Sequence, residues 1–290
     1  MTPTRAVLDA TERLLDLAID EDLGPVGDVT SAATLDEKTR GEGTIVAKQK
    51  EGLVVCGLFA AERTFARLAP NVRFERLADD GDRLAKGKVA AKVAGPAREI
   101  LGAERIALNF LQHLSGVATL TAKFVDAAAG KAIVLDTRKT TPGWRALEKF
   151  AVACGGAKNH RFGLFDGILI KDNHVEAAGG VKKAIERARR NAPNFLKIEV
   201  EVGSLEQLDE ALDAAPEMIL LDNFDVAGLK ACVARVRKSG KKVLLEASGG
   251  VTLASIAEIA ATGVDFVSSG SLTHSAPAAD LSLELELAKK

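Results

Sequence analysis

Cysteine is scarce, net charge is almost nil and long apolar runs are missing; each shortage excludes something. Cys56, Cys154 and Cys232 stand far apart, odd in number and without a CxxC pair. That pattern argues against a disulfide framework or a structural zinc and fits reduced thiols in a cytosol. Lysine and arginine number 39 against 40 aspartates and glutamates, a formal charge of -1. No global field then draws the chain toward nucleic acid or an anionic membrane, so any anion site must be a local cluster. No apolar stretch is long enough to span a bilayer. The opening "MTPTRAVLDATERLLDLAIDEDLG" mixes acids, bases and leucines at helical spacing, where a signal peptide would carry an apolar core. The expectation is a cytoplasmic protein that binds neither nucleic acid nor membrane.

What is present is the material of a soluble globular chain, 47% hydrophobic and 27% charged over 290 residues. That suffices for a well-buried core in one large domain or two ordinary ones. Two textures divide it. From Thr44 to about Ala94 run short alternating segments, "TIVAKQKEGLVVCG" and "VRFERLADDGDRLAKGKVAAKVAG", with a helical "LFAAERTFARLA" between them. Glycines punctuate these segments, as in a small α+β unit with hairpin-like strands. A long helix follows over 97–127, its apolar positions Ile100, Leu101, Ile106, Leu108, Leu111 and Leu114 fitting a 3.6 period, with a bend expected at Gly116.

The second texture repeats one design. "KAIVLDTR", "GILIKDN", "KIEVEV", "MILLDN", "KKVLLEASGG" and "VDFVSSG" are short apolar runs that end in polar or glycine residues, with helix-like stretches between them. Strand then helix, six times over, predicts a parallel β/α architecture covered on both faces. The repeats fall well short of the ~250 residues of a full eight-stranded barrel. An incomplete barrel of about six strands or an open doubly wound sheet fits. In either, function belongs at the carboxyl ends of the strands, which here carry Arg138 with Lys139, Lys171, Glu201, Asp222, Ser248 with Gly249 and Gly250, and Ser268 through Gly270.

Cations concentrate on that rim. The stretch "GGAKNHRFG" adds Lys158, His160 and Arg161 to Arg138, Lys139 and Lys171. Strand neighbours point to opposite faces, so not all six should converge. Two cations ~4 Å apart repel by about as much as a cation and a carboxylate attract, on the order of 4 kcal/mol at an effective dielectric near 20. A pocket that gathers several is relieved by a ligand with several negative charges, and arginine forks match carboxylate or phosphate. Glu201 and Asp222 close neighbouring runs; such a carboxylate pair suits Mg²⁺ or sugar hydroxyls. The glycine turns of "EASGGV" and "SSGS" suit a phosphate, the first leading into a helix expected near Thr252. A phosphorylated sugar, a diphosphate and a carboxylated partner would use all three features, which is the demand of phosphoribosyl transfer.

The chain also resembles the quinolinate phosphoribosyltransferase (nicotinate-nucleotide pyrophosphorylase) family. "EDLGPVGDVTS", "AERIALNFLQHLSG", "DTRKTTPGWRALEKFAVACGGAKNHRFGLFDGILIKDNH", "LEASGG" and "GVDFVSSGSLTHS" look like its motifs, in its order, over nearly the whole length. The resemblance implies an N-terminal α/β sandwich over 1–115 with helix 97–127 as connector. An open, incomplete β/α barrel of six to seven parallel strands would follow over 116–290, with a C-terminal helix packing back on the first domain. It implies a homodimer or higher homo-oligomer in which Arg105 reaches the partner's site. Arg105, Arg138, His160, Arg161 and Lys171 would surround the two carboxylates of quinolinate, with Lys139 near the diphosphate of phosphoribosyl diphosphate. Glu201 and Asp222 would meet ribose hydroxyls and Mg²⁺, and Ser248, Gly249, Gly250 and Gly270 the 5-phosphate. Lys139 or Lys171 would supply the proton that replaces the lost carboxylate. One departure is Ala157, where the family usually has a third glycine; a positive φ there would be costly for alanine.

The implied activity is phosphoribosyl transfer to quinolinate with decarboxylation, in NAD biosynthesis. Three rivals stay open: a non-catalytic relative of the same fold, such as the molybdate-associated proteins; a barrel aldolase using Lys171 as a Schiff-base nucleophile; and a plain nicotinate phosphoribosyltransferase, which would need fewer cations for a single carboxylate.

Overall fold

The structure, a computed structural model, describes residues 1–288 and divides them into two compact units. The first comprises Met1–Ala122, Thr140–Gly156 and the described residues from Thr273 onward; the second comprises Lys123–Lys139 and Ala157–Leu272. A single cut between 115 and 116 is therefore not how the chain compacts. The segment 140–156 and the C-terminal stretch both belong with the N-terminal residues.

In the first unit, a helix over Arg5–Leu23 starts at Thr4, whose hydroxyl accepts from Val7 N. The strands are β1 (Arg40–Ala47), β2 (Leu53–Val54), β3 (Arg73–Arg76), β4 (Arg83–Leu84) and β5 (Val89–Pro96). β1, β5 and β3 pair antiparallel in that order, and β2 pairs with β4. Alternation along β1 and β5 turns Ile45, Ala91 and Val93 inward, where they meet Leu58 and Phe65 of the helix Leu58–Leu68 and Ile100 and Leu111 of the long helix. Side chains this deeply buried contribute about 1.5–3 kcal/mol each.

The long helix spans Ala97–Ala128 and runs through Gly116 as one element. No break in the helix marks the position where a bend was expected. A Cβ at Gly116 would lie 2.1 Å from the carbonyl oxygen of Pro277, so glycine there admits the approach of the 277–278 backbone.

The second unit holds six parallel strands: β6 (Ile133–Leu135), β7 (Ile168–Ile170), β8 (Ile198–Val202), β9 (Met218–Asp222), β10 (Leu244–Ser248) and β11 (Phe266–Ser268). Their order is β6-β11-β10-β9-β8-β7. In chain order this is a barrel whose first and second strands have not joined. Among the described residues, a lone bridge from Leu135 to Lys158 is the ladder contact on that side. The strands are largely apolar because helices cover them, burying Val181 and Ile185, Leu208 and Leu212, and Leu229, Cys232 and Val236. Ser204 and Asp225 cap two of these helices, accepting from Gln207 N and Gly228 N.

After the barrel the chain returns to the first unit as β12 (Leu281–Leu287), pairing antiparallel with β1 from Ala47↔Leu281 to Gly41↔Leu287. The expected C-terminal helix is a strand. "LSLELEL" alternates leucine with polar residues, a period of two, and Leu281, Leu283 and Leu285 join the core under the sheet. No helix among the described residues is long and apolar enough to cross a membrane.

Candidate active site

The carboxyl ends of the six strands open on a cavity of about 570 Å³ within the second unit. Arg138 and Lys139 follow β6, Lys171 follows β7, and Glu201, Asp222 and Ser248 lie at the ends of β8, β9 and β10, with Gly249 and Gly250 next. His160 and Arg161 enter on the loop before β7. All ten line the cavity. Four other residues picked out from the sequence do not: Lys158 is exposed beside β6, Ser269 and Gly270 are off the lining, and Arg105 is an exposed residue of the long helix in the first unit. Five of the six central cations thus converge, in line with strand alternation.

Crowding shows in the electrostatics. Arg161 is held below the usual guanidinium range, by burial first and then by repulsion from Arg138, with Glu199 and Asp166 opposing. Its Nη1 donates to Gly167 O at 3.0 Å. Lys171 Nζ lies 3.0 Å from Glu201 Oε2 at the mouth. Glu201 and Asp222 therefore stand on adjacent strands and both line the cavity, Glu201 paired with Lys171. An all-oxygen pair of this kind fits a hard divalent cation that keeps water and phosphate ligands.

The glycine turn is shaped by Asn223, which the sequence reading passed over. Asn223 sits in the left-handed region (φ 57°), donates its N–H to Ser248 O at 3.0 Å and its Nδ2 to Asp222 Oδ2 at 2.8 Å. Gly249 has φ 96°, and a Cβ on it would fall 2.1 Å from Asn223 Oδ1. Gly250 follows at φ 61°. Ser268 Oγ donates to Ser248 Oγ at 3.1 Å, tying β11 to the turn. The helix after this turn begins at Ile256, later than expected, because Thr252 and Ser255 close a hydrogen-bonded turn of their own. The Ala157 departure carries no cost: Gly156 takes the positive φ (91°), and Ala157 is buried with an ordinary backbone.

Below the rim lies an acidic floor. Side-chain period places Glu199 one layer under Glu201 and Glu246 one layer under Ser248, and both are buried. His160 Nε2 is 3.0 Å from Glu199 Oε2 and 3.5 Å from Glu246 Oε2. The ring's Nδ1 accepts from Arg161 N at 2.7 Å, and His160 N donates to Asp136 Oδ1 at 2.8 Å. Because a backbone N–H faces Nδ1, the ring proton resides on Nε2 and is directed at Glu199. Burial, then the charge of Glu199, pushes the Glu246 carboxyl up to about 8. The three side-chain atoms lie within 4.8 Å of one another, a spacing a metal could also use. The one hydrogen bond within the trio joins His160 Nε2 and Glu199 Oε2. Glu199 and Glu246 were legible as acids inside apolar runs, in "IEVEV" and "LLEAS".

The architecture recurs in known proteins. Residues 28–115 match the family described as quinolinate phosphoribosyl transferase, N-terminal domain, and residues 117–284 match its C-terminal domain. The chain belongs to the quinolinate phosphoribosyltransferase family. It is 42% identical over 280 residues to a probable nicotinate-nucleotide pyrophosphorylase (carboxylating) of Bacillus subtilis, covering 96% of this chain and 94% of that protein. A mitochondrial quinolinate phosphoribosyltransferase (decarboxylating) of Nicotiana tabacum is likewise 42% identical, over 98% of this chain and 84% of its own length. Among solved structures, the nicotinate-nucleotide pyrophosphorylase of Francisella tularensis superposes with a TM-score of 0.90 at 39% identity, covering 96% of each chain. The family boundary at 115–117 falls inside the long helix, so it marks a sequence module; the compact units interleave.

Proposed function

We infer that this quinolinate phosphoribosyltransferase family member transfers the phosphoribosyl group of phosphoribosyl diphosphate to quinolinate and releases CO₂ and diphosphate. The observation that carries the inference is the meeting of Arg138, Arg161 and Lys171 with Glu201, Asp222 and the Ser248–Gly250 turn in one cavity.

Each part has a use in that reaction. Arg138, Arg161 and Lys171 bind the two carboxylates of the pyridine acid, and charge pairing orients the ring nitrogen toward the sugar. Glu201 and Asp222 accept from the ribose hydroxyls, the Ser248–Gly250 turn receives the 5-phosphate, and Lys139 faces the diphosphate. Glu201 and Asp222, with substrate and water oxygens, would hold Mg²⁺, which when bound would supply charge neutralisation of the leaving diphosphate. The nitrogen lone pair forms the bond to C1 of the ribose as the C1–O bond breaks, the electron pair leaving with diphosphate. Holding the reactants in line and stabilising the charge that develops account for the catalysis. The quaternised nitrogen then stabilises the electron pair left at C2 when the C2–carboxylate bond breaks, and a proton from Lys139 or Lys171 replaces CO₂.

The active form is a homodimer in which Arg105 completes the partner's site. Leu164 and Phe165, 72% and 75% exposed on the loop that follows Arg161, support an interface beside the cavity. A cytoplasmic location fits the three cysteines, all free among the described residues.

The test is incubation of the purified protein with quinolinate, phosphoribosyl diphosphate and Mg²⁺. Mononucleotide and CO₂ should appear in equal amounts, and nicotinate should be a poor replacement. Absence of both products, or equal use of nicotinate, would overturn the assignment.

A further inference from the structure

Strand β7 lies at the open edge of the barrel sheet, paired with β8 on one side only. Successive N–H groups along a strand point to alternate sides. Ile168 N donates toward β8, to Lys197 O at 3.3 Å, so the N–H of Lys171, three residues on, points the other way. A closed barrel would offer it a strand on that side, and a backbone donor needs an acceptor. The acceptor here is a side chain: His174 Nδ1 receives Lys171 N–H at 2.9 Å.

Lys171 is still extended, with φ −104° and ψ 171°, and it caps a short helix over Asp172–Ala178. Its carbonyl oxygen accepts from His174 N at 2.8 Å and from Val175 N at 3.0 Å. His174 therefore holds both backbone polar groups of Lys171, one with its ring and one with its own N–H, in the reciprocal manner of a capping box. The ring does not line the active-site cavity. It stands in a separate apolar groove with Ile168, Ile170 and Ala184.

We propose that His174 is a positioning residue of the reaction: it fixes the backbone from which the Lys171 ammonium reaches the cavity mouth. Glu201 Oε2 holds that ammonium at 3.0 Å. A substrate carboxylate that draws Nζ away leaves the backbone anchor to set where the charge stands. The inference rests on the function proposed above, which gives Lys171 to the pyridine dicarboxylate. It deepens that function by making affinity for the dicarboxylate depend on a residue outside the cavity. The phosphate turn follows β10, three strands away in the sheet, so the other substrate should not sense the change.

Asparagine places Oδ1 where the imidazole has Nδ1 and can accept the same N–H, whereas alanine favours the helix but has no acceptor. His174 is exposed, so both variants should fold. Steady-state kinetics on His174→Asn and His174→Ala, with thermal melting of each, read the effect. His174→Ala should raise KM for quinolinate about three- to tenfold, the range of one net hydrogen bond. KM for phosphoribosyl diphosphate should stay within about twofold and kcat within about fivefold. His174→Asn should bring KM for quinolinate back to within about twofold of the parent.

Unchanged KM for quinolinate in a folded His174→Ala would overturn the proposal. So would an asparagine variant as impaired as alanine, which would mean that the imidazole itself is needed. A parallel rise in both KM values would show general loosening, and alanine failing to fold beside a parent-like asparagine would make His174 a folding residue; either result also overturns it. A parent protein that turns over no quinolinate would take down the proposed function and this proposal with it, whereas an active parent with unmoved variants takes down this proposal alone.

Discussion

Lys171 Nζ lies 3.0 Å from Glu201 Oε2, joining the ends of β7 and β8 across the mouth of the cavity. The lysine side chain is half exposed and the glutamate largely covered. An ion pair this open to solvent contributes about 0–1 kcal/mol, so it adds little stability and costs little to open. In the proposed function each partner meets a different substrate: Lys171 the pyridine acid, Glu201 the ribose. Glu201→Gln should therefore leave the melting temperature nearly unchanged, retain quinolinate binding by calorimetry, and lower kcat by at least ~100-fold. A variant that keeps kcat, or loses quinolinate binding altogether, would show that Glu201 has another role.

A second prediction concerns the glycine turn. At Gly249 a side chain meets two objections, a φ of 96° and an Asn223 Oδ1 that would stand 2.1 Å from the new Cβ. Gly249→Ala should cost about 1–3 kcal/mol and raise KM for phosphoribosyl diphosphate while sparing that for quinolinate. Adding Asn223→Gly removes the clash but leaves the strained φ, so the double variant should recover part of the stability. Denaturant titration of the three proteins checks this; strict additivity would mean that the two residues do not press on each other.

The buried acid makes stability depend on pH with a definite sign. Glu246 is pushed up to about 8, by burial and then by Glu199, against about 4.3 for an unfolded glutamate. The groups that bear on it are Glu199 from β8, His160 from the loop before β7 and Ser268 from β11. A raised folded value means the native state binds the proton more tightly. The stabilisation is complete below the unfolded value and is lost as pH rises through about 8. The slope is at most about 1.4 kcal/mol per pH unit. Unfolding free energies measured between pH 5 and 8.5 should fall in the parent protein and fall less in Glu246→Gln. Parallel curves for the two would remove Glu246 as the cause.

Much of the site was legible before any fold was known, because a parallel strand announces itself as a short apolar run and its functional residue sits where the run stops. Arg138, Lys171, Asp222 and Ser248 were found in this way. Alternation put Glu199 on one face with Glu201, but Glu246 was not singled out, although an acid inside a run covered on both faces has nowhere to go but the barrel interior. Asn223 was hidden for another reason: its left-handed backbone and its fit against Gly249 belong to the pairing of β9 with β10, which no local pattern states. β12 was misread because leucine and glutamate both favour helices, and the alternation of "LSLELEL" won only when β1 supplied an edge. The interleaving of the compact units rests on contacts distant in sequence, and those have no periodicity to read.

Arg105 offers the sharpest test of the assembly. It is exposed on the long helix, and the proposed function places it in a partner's cavity. Arg105→Ala and Arg138→Ala should each be nearly inactive alone. In a mixed dimer of the two, one site combines an intact Arg138 with the other protomer's intact Arg105, while the second site lacks both. Random exchange in an equal mixture makes half of the dimers mixed, so about a quarter of the parent activity should return. Recovery should follow the rate of subunit exchange and vanish if the protomers are cross-linked before mixing. A mixture that stays inactive after exchange has been verified by mass would place Arg105 in its own protomer's site or outside the chemistry altogether.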